Sequence, residues 1–312
     1  MRVQFYGTRG SLPSPMGFDD FLTISSDLYK KAYEAGVKPD EIEGYLKSQQ
    51  EESPFYFGGN TTCLEVSSAK DSIVIDCGSG LQKLGVDLLS RKKNEVHIFM
   101  THFHWDHIQG LPFFAPLYKP GFKIHFYSAR EDCEDILRQQ MSAPVFPVPF
   151  DVLASDIEYH IIEDGKEMEV NGFSVMPAKA HHPNECHGYK IKRDGRVMMF
   201  LTDTEVAATE TAKMKYYSEL LVDVDVAIAD SQYSFVEYFA KRTWGHSTSS
   251  VFIDIMGALA SDKKLVLFHH DPMASNSVIA VLEKQAKRYK EICCKDNNLE
   301  ILSAWDGFDL EI

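Results

Sequence analysis

The stretch THFHWDHIQG, residues 101–110, places three histidines and an aspartate within six positions. It follows NEVHIFM, an apolar run that reads as a buried strand. Coordinating groups this dense at the end of a strand are costly to bury unless something pairs with them. The fold must therefore carry the apolar run into a core and end it where imidazoles converge. From an extended backbone, alternate residues His102 and His104 turn toward one point, and Asp106 and His107 face a second point nearby.

Later segments supply partners of the same kind. AKAHHPNECHGYKI follows a strand-like run and offers His181, His182 and His187. MMFLTDTE ends an apolar run at Asp203, and KLVLFHHDP ends another at His269 and His270. A hydrolytic binuclear site needs about four ligands per ion, one shared, with a position open to water. A single histidine at a strand end is more often a hydrogen-bonded surface residue. The combination of imidazoles and carboxylates reverses that reading for the 102–107 cluster. His97, His125 and His160 lie in alternating strand-like segments and are read as ordinary strand residues with no clustered partner.

Strand-like runs recur from RVQFYG through KLVLFHH to FDLEI, with amphipathic stretches such as GLQKLGVDLLSRKK between some of them. Strands followed by helices occur in the first half and again in the second. Two sheets packed face to face with helices outside fit this order. The tail ILSAWDGFDLEI reads as one closing strand. Residues 17–52 are polar and helical in character, with too few apolar residues for a core of their own. They read as a helical insertion on a single domain spanning 1–312: a solvated surface hairpin, with a substrate lid as the alternative.

Composition narrows the partners. With 44% hydrophobic and 25% charged residues in 312, the chain can bury a sizeable core. A net charge of -14 sets an unfavourable average field for a long polyanion. The six cysteines form no CxxC pair, and reduced thiols in a cytoplasmic protein are expected. No run approaches the roughly 18 apolar residues that span a bilayer, and the N-terminus reads as a first strand.

These motifs carry a resemblance. THFHWDH resembles the HxHxDH signature of the metallo-β-lactamase fold superfamily. IDCGSGLQKLG resembles the strand and turn before that signature, TDT its bridging-aspartate element and FHHDP its last-histidine element. The resemblance runs from Met1 to the C-terminal region, outside 17–52, and implies an αββα sandwich of the α/β class. It implies that His102, His104 and His182 hold one metal ion and that Asp106, His107 and His269 hold a second. Asp203 would bridge them, and Asp76 would orient a ligand from behind. His182 and His269 are taken over His181 and His270 from the family's spacing; in an extended chain, neighbours point to opposite sides.

A further stretch narrows the branch. RTWGHSTSS, 242–250, resembles the ribonuclease Z-like phosphodiesterases, in which a histidine of an HST motif acts near the leaving group with an acidic partner. His246 and Asp230 match, and with Asp106 they form the expected catalytic set. The plainer reading makes Ser247 or Thr248 a helix cap, and the two are compatible. Two cations, zinc or manganese, would reduce the repulsion between a phosphodiester and a bridging hydroxide, and His246 would protonate the leaving oxygen. Ribonuclease Z generally carries a basic, flexible arm after the signature; here 117–180 is acidic and shows no such arm. A bacterial set of hydrolases with GTRGSLP, GGNTTCLEV and HWDHIQGLPFF is also similar. The expected substrate is a small phosphodiester such as a cyclic nucleotide. The alternatives are an RNA endonuclease, an ester, thioester or lactam hydrolase, and a non-enzymatic metal-binding module. Relatives in this superfamily are often dimers, so a homodimer is an open expectation.

Overall fold

The structure is a computed structural model that describes residues 1–259 and 262–312. Its strands are β1 (Arg2–Gly7), β2 (Cys63–Ser68), β3 (Asp71–Ile75), β4 (Glu95–Phe99), β5 (Lys123–Ser128), β6 (Asp156–Ile161), β7 (Met168–Val170), β8 (Phe173–Lys179), β9 (His187–Arg193), β10 (Arg196–Leu201), β11 (Val226–Asp230), β12 (Lys264–Phe268), β13 (Glu300–Ser303) and β14 (Asp309–Glu311). The described residues form two seven-stranded sheets, ordered β14-β1-β2-β3-β4-β5-β6 and β13-β12-β11-β10-β9-β8-β7. Each sheet runs antiparallel across its first three pairs in the direction β14 to β3 or β7 to β10, then parallel to its far edge. Helices cover both outer faces, so the molecule is the four-layer αββα sandwich expected.

The layers follow from side-chain alternation. In β4, Val96 and Ile98 face outward onto the helix Leu81–Ser90, which buries Leu81, Leu84, Gly85 and Leu88 at helical spacing. Phe99 points the other way and joins Phe5, Tyr189, Phe200 and Phe268 between the sheets. A third cluster, with Leu201, Phe252 and Leu265, lies under the helices of the second sheet. Among the described residues no helix is long and apolar enough to cross a membrane, and the six cysteines are unpaired.

Residues 17–52 form the helices Phe18–Glu34 and Ile42–Glu52, which bury one residue each, Ala32 and Gln50. Gln50 fastens the second helix by donating to Tyr56 O and accepting from the backbone N–H of Phe55 and Tyr56. The tail differs from expectation. It forms two strands, and they lie in different sheets: β13 extends the second and β14 the first. The turn Trp305–Phe308 makes the crossing, and Phe308 stacks on Phe5.

Phe200 is fully buried, meets Phe268 edge-on with ring centroids 5.3 Å apart, and ends three residues before Asp203. Phe200→Ala should destabilise the chain by about 3–5 kcal/mol through lost burial and the cavity left behind. Urea unfolding should show a lower midpoint with an unchanged slope.

Candidate active site

The candidate site lies at the carboxyl ends of the parallel strands of both sheets, where open α/β sheets gather ligands. Asp76 directly follows β3, and residues 101–107 follow β4. Asp203 lies two residues past β10, Asp230 ends β11, and His269 directly follows β12. Asp76, Asp203 and His269 have φ of 61°, 49° and 62°. Each occupies the left-handed region that non-glycine residues seldom adopt, which turns the chain sharply off its strand and aims the side chain across the gap.

Seven side chains converge there. His102, His104, His182 and Asp203 form one group and Asp106, His107, Asp203 and His269 a second, with one donor atom from each within 4.8 Å of the others in its group. Asp203 belongs to both. Its Oδ1 lies 3.8 Å from His102 Nε2, 3.9 Å from His182 Nε2 and 3.4 Å from His269 Nε2, and its Oδ2 lies 3.2 Å from His107 Nε2. His104 Nδ1 is 3.1 Å from His182 Nε2. His181 instead turns to Tyr217, its Nδ1 2.8 Å from the hydroxyl, and His270 Nε2 lies 2.8 Å from Ala304 O. The opposed directions of neighbouring residues separate the two pairs. His187 also lies apart, its Nε2 3.9 Å from Asp164.

Each converging imidazole is braced through its other nitrogen. His107 Nδ1 meets Asp76 Oδ2 at 2.7 Å, and Asp76 also accepts from the N–H and hydroxyl of Thr101. His182 Nδ1 donates to Gly245 O at 3.0 Å. His269 Nδ1 meets Thr202 Oγ1 at 3.0 Å, and His104 Nε2 meets Asn184 Oδ1 at 2.7 Å. These contacts orient the rings and present the remaining nitrogens to the centre. The inward Nε2 atoms of His102, His107 and His269 are buried without a hydrogen-bond partner. Buried donor atoms left in that state, beside shared carboxylates, fit divalent cations of the nitrogen- and oxygen-binding class.

The electrostatics agree. Burial opposes an imidazolium at His107, but Asp106, Asp203 and Asp76 outweigh it and raise its proton affinity well above the ordinary value. Burial likewise opposes ionisation of Asp203, and His269, His107 and His102 overcome it, holding the carboxylate ionised. The carboxylates demand positive charge, which protons or cations can supply.

His246 adjoins this centre. Its Nδ1 lies 2.8 Å from Asp230 Oδ2 and 4.0 Å from Asp203 Oδ1, and its ring stacks on His269 at 5.0 Å. Burial alone would lower its pKa, yet the charge and hydrogen bond of Asp230 raise it to about 9. Asp230 is itself fixed by the N–H groups of Thr204, Gln232 and Ser247. The capping role considered for Ser247 or Thr248 is absent. Thr248 precedes the helix Ser249–Gly257 without a side-chain cap bond, and Ser247 Oγ donates to Thr204 O.

Several supports were not assigned from sequence. Arg9 is buried and ties the first strand to the later loops by donating to Gly58 O, Asp271 O and Ala274 O. Ser11 N–H donates to Asp106 Oδ2 at 2.7 Å. Asp306, in the crossing turn, accepts from Gly59 N, Asn60 N and Asn60 Nδ2 and so holds the GGNTT loop. Asn184 was within reach of sequence reading, since it is an amide inside HHPNECH. Arg9 and Asp306 act through backbone carbonyls and amides, which leave no sequence mark.

A family profile described as "Beta-lactamase superfamily domain" matches residues 71–270. Ribonuclease Z of Archaeoglobus fulgidus is 28% identical over 140 residues, covering 44% of this chain and 44% of the relative. Ribonuclease Z of Streptococcus pneumoniae serotype 19F is 24% identical over 267 residues, covering 68% of this chain and 83% of the relative. Unliganded yeast PDE1 superposes with a TM-score of 0.65 at 12% identity, over 100% of this chain and 99% of that one, a likeness of fold.

Gly10 lies against the ring of His269: a Cβ there would come within 2.4 Å of Cδ2 and Nε2. If these donors hold a divalent cation, Gly10→Ala should displace that ring and weaken that cation's binding by about 10–100-fold, the loss typical when the supports of a coordinating group are disturbed. Zinc content after gel filtration, with circular dichroism to confirm folding, checks this.

Proposed function

Because the chain belongs to the beta-lactamase superfamily domain family, we propose that it is a binuclear metal-dependent hydrolase of small phosphodiesters, cyclic nucleotides among them. His102, His104 and His182 would hold one ion, Asp106, His107 and His269 the other, with Asp203 shared. The mixed imidazole and carboxylate set suits zinc, with manganese the alternative. Bound there, two such cations supply Lewis acidity toward the phosphate oxygens and lower the pKa of water.

The observation that carries the reading is the His246–Asp230 pair at 2.8 Å, set beside Asp203. A lactam or thioester hydrolase could use the same seven donors. Phosphodiester hydrolysis breaks a P–O bond and expels an alkoxide, which gains most from a positioned acid. Asp230 accepts from His246 Nδ1, fixes the ring plane and stabilises the imidazolium, leaving Nε2–H as the proton to deliver. As the leaving oxygen gains charge, that proton passes to it and His246 becomes neutral.

Two features favour a small substrate. The net charge is -14, opposed to the counterion-release attraction that long nucleic acids exploit. The segment after the signature also packs down: Met141 and Phe150 are buried on the outer core, with Phe146 and Leu153 against them. Beside His104, Phe103 and Trp105 line an open cleft of about 590 Å³ together with Phe113 and Phe146, an apolar surface on which a nucleobase can stack. The competing reading, an RNA endonuclease, draws on the relatives named ribonuclease Z.

His246→Ala should lower turnover on bis(p-nitrophenyl) phosphate or a cyclic nucleotide by about 10²–10⁴-fold, with metal content unchanged. The wild-type rate should fall at high pH as His246 loses its proton, and the variant should lack that limb. Unchanged turnover removes His246 from the mechanism. Cleavage of a precursor tRNA, with none of cyclic nucleotides, would establish the RNA reading instead.

A further inference from the structure

A second group of histidines lies outside the candidate active site. Read along the sequence, His97, His125 and His160 are isolated; the parallel register of three neighbouring strands brings them together. His97 of β4 pairs with His125 of β5, which pairs with Glu158 of β6, and His160 sits opposite Tyr127. All project from the face that carries Phe99, Tyr127 and Ile162 into the inter-sheet core. His97 and His125 sit mid-strand and His160 near the end of β6, where this face is only half-buried.

Three donor atoms there have the spacing of a metal site. His125 Nδ1 is 3.1 Å from His160 Nε2 and 3.4 Å from Glu158 Oε2, and His160 Nε2 is 3.8 Å from the same oxygen. Ligands at about 2.0–2.1 Å from a tetrahedral zinc ion stand about 3.3 Å apart. The tautomer also fits. His125 Nε2 lies 2.9 Å from Glu95 Oε1, so its N–H donates to that carboxylate and Nδ1 is left with its lone pair. That lone pair faces His160 Nε2, which donates to it in the ion-free protein, and the Glu158 oxygen; a cation replacing that proton would meet all three atoms. His97 stacks on His125 at 4.6 Å and meets Tyr127 Oη through Nδ1 at 3.0 Å, which holds the plane of the pair. Burial, with His125 beside it, lowers His97 to about 4, so it adds no positive charge to repel an ion.

We propose that His125 Nδ1, His160 Nε2 and Glu158 form a peripheral zinc site, with Glu95 fixing the tautomer of His125 and solvent completing the coordination. The ion clips β6, the edge strand of the first sheet, to β5. The site is independent of the hydrolase reading.

The test is equilibrium dialysis of the wild type and His160→Gln against Zn²⁺, with zinc per chain counted by mass spectrometry. The side chains of His160 and Glu158 are 37% and 61% exposed, so the variant should fold, and circular dichroism checks it. The wild type should hold one ion more than His160→Gln. That difference does not depend on how many ions the active site takes, and phosphodiester turnover should be equal in both. Glu95→Gln should keep the ion at saturation but bind it about 10–100-fold more weakly. Equal zinc counts in wild type and His160→Gln at saturating Zn²⁺, or equal affinity in Glu95→Gln, would overturn the proposal.

Discussion

The carboxylate of Asp203 is the point through which both halves of the candidate site are joined. One oxygen lies 3.4 Å from His269 and the other 3.2 Å from His107, residues carried by different sheets. A buried carboxylate is tolerated only where opposite charge or donors surround it. The inter-sheet core brings those partners together by packing Phe99 of one sheet against Tyr189 of the other and Phe5 against Phe268, so that strand ends from both arrive at one rim. The left-handed turns at Asp76, Asp203 and His269 then convert strand ends into inward-facing donors.

Much of this could be read from sequence because strand ends and coordinating residues coincide. HWDH after EVHIFM, TDT after VMMFL and FHH after KLVL mark apolar runs that stop at polar groups. The seven converging residues are those singled out; His182 and His269 were taken over their neighbours from the family's spacing, and alternation says only that such neighbours diverge. What escaped was whatever depends on distant pairing. Arg9 works through three carbonyl oxygens contributed by residues 58, 271 and 274. The tail reads as one strand because nothing in ILSAWDGFDLEI announces a change of sheet. His97, His125 and His160 looked solitary because their proximity is set by parallel register, which a single sequence does not display.

The molecule uses one device three times. An imidazole is fixed by a carboxylate on one nitrogen, leaving the other for chemistry: His107 on Asp76, His246 on Asp230 and His125 on Glu95. Burial separates the settings. The first two pairs are enclosed, whereas Glu95 is exposed and its charge is screened by water. In the enclosed pairs Asp230 is the foremost group raising the proton affinity of His246, and Asp76 adds to Asp106 and Asp203 in raising that of His107.

The crossing of the tail from one sheet to the other has a consequence for the order in which the molecule is completed. β1 pairs with β14 across almost the whole chain, and Asp306 holds the loop of Gly59 and Asn60 beside the N-terminal strand. During synthesis β1 therefore has one edge unpaired until residues 309–311 leave the ribosome, and an unpaired edge is a template for wrong partners. The GGNTT loop likewise lacks its acceptor until residue 306 is made. Emergence of residues 306–311 is thus also the moment at which the loop of Gly59 and Asn60 and the open edge of β1 are both secured.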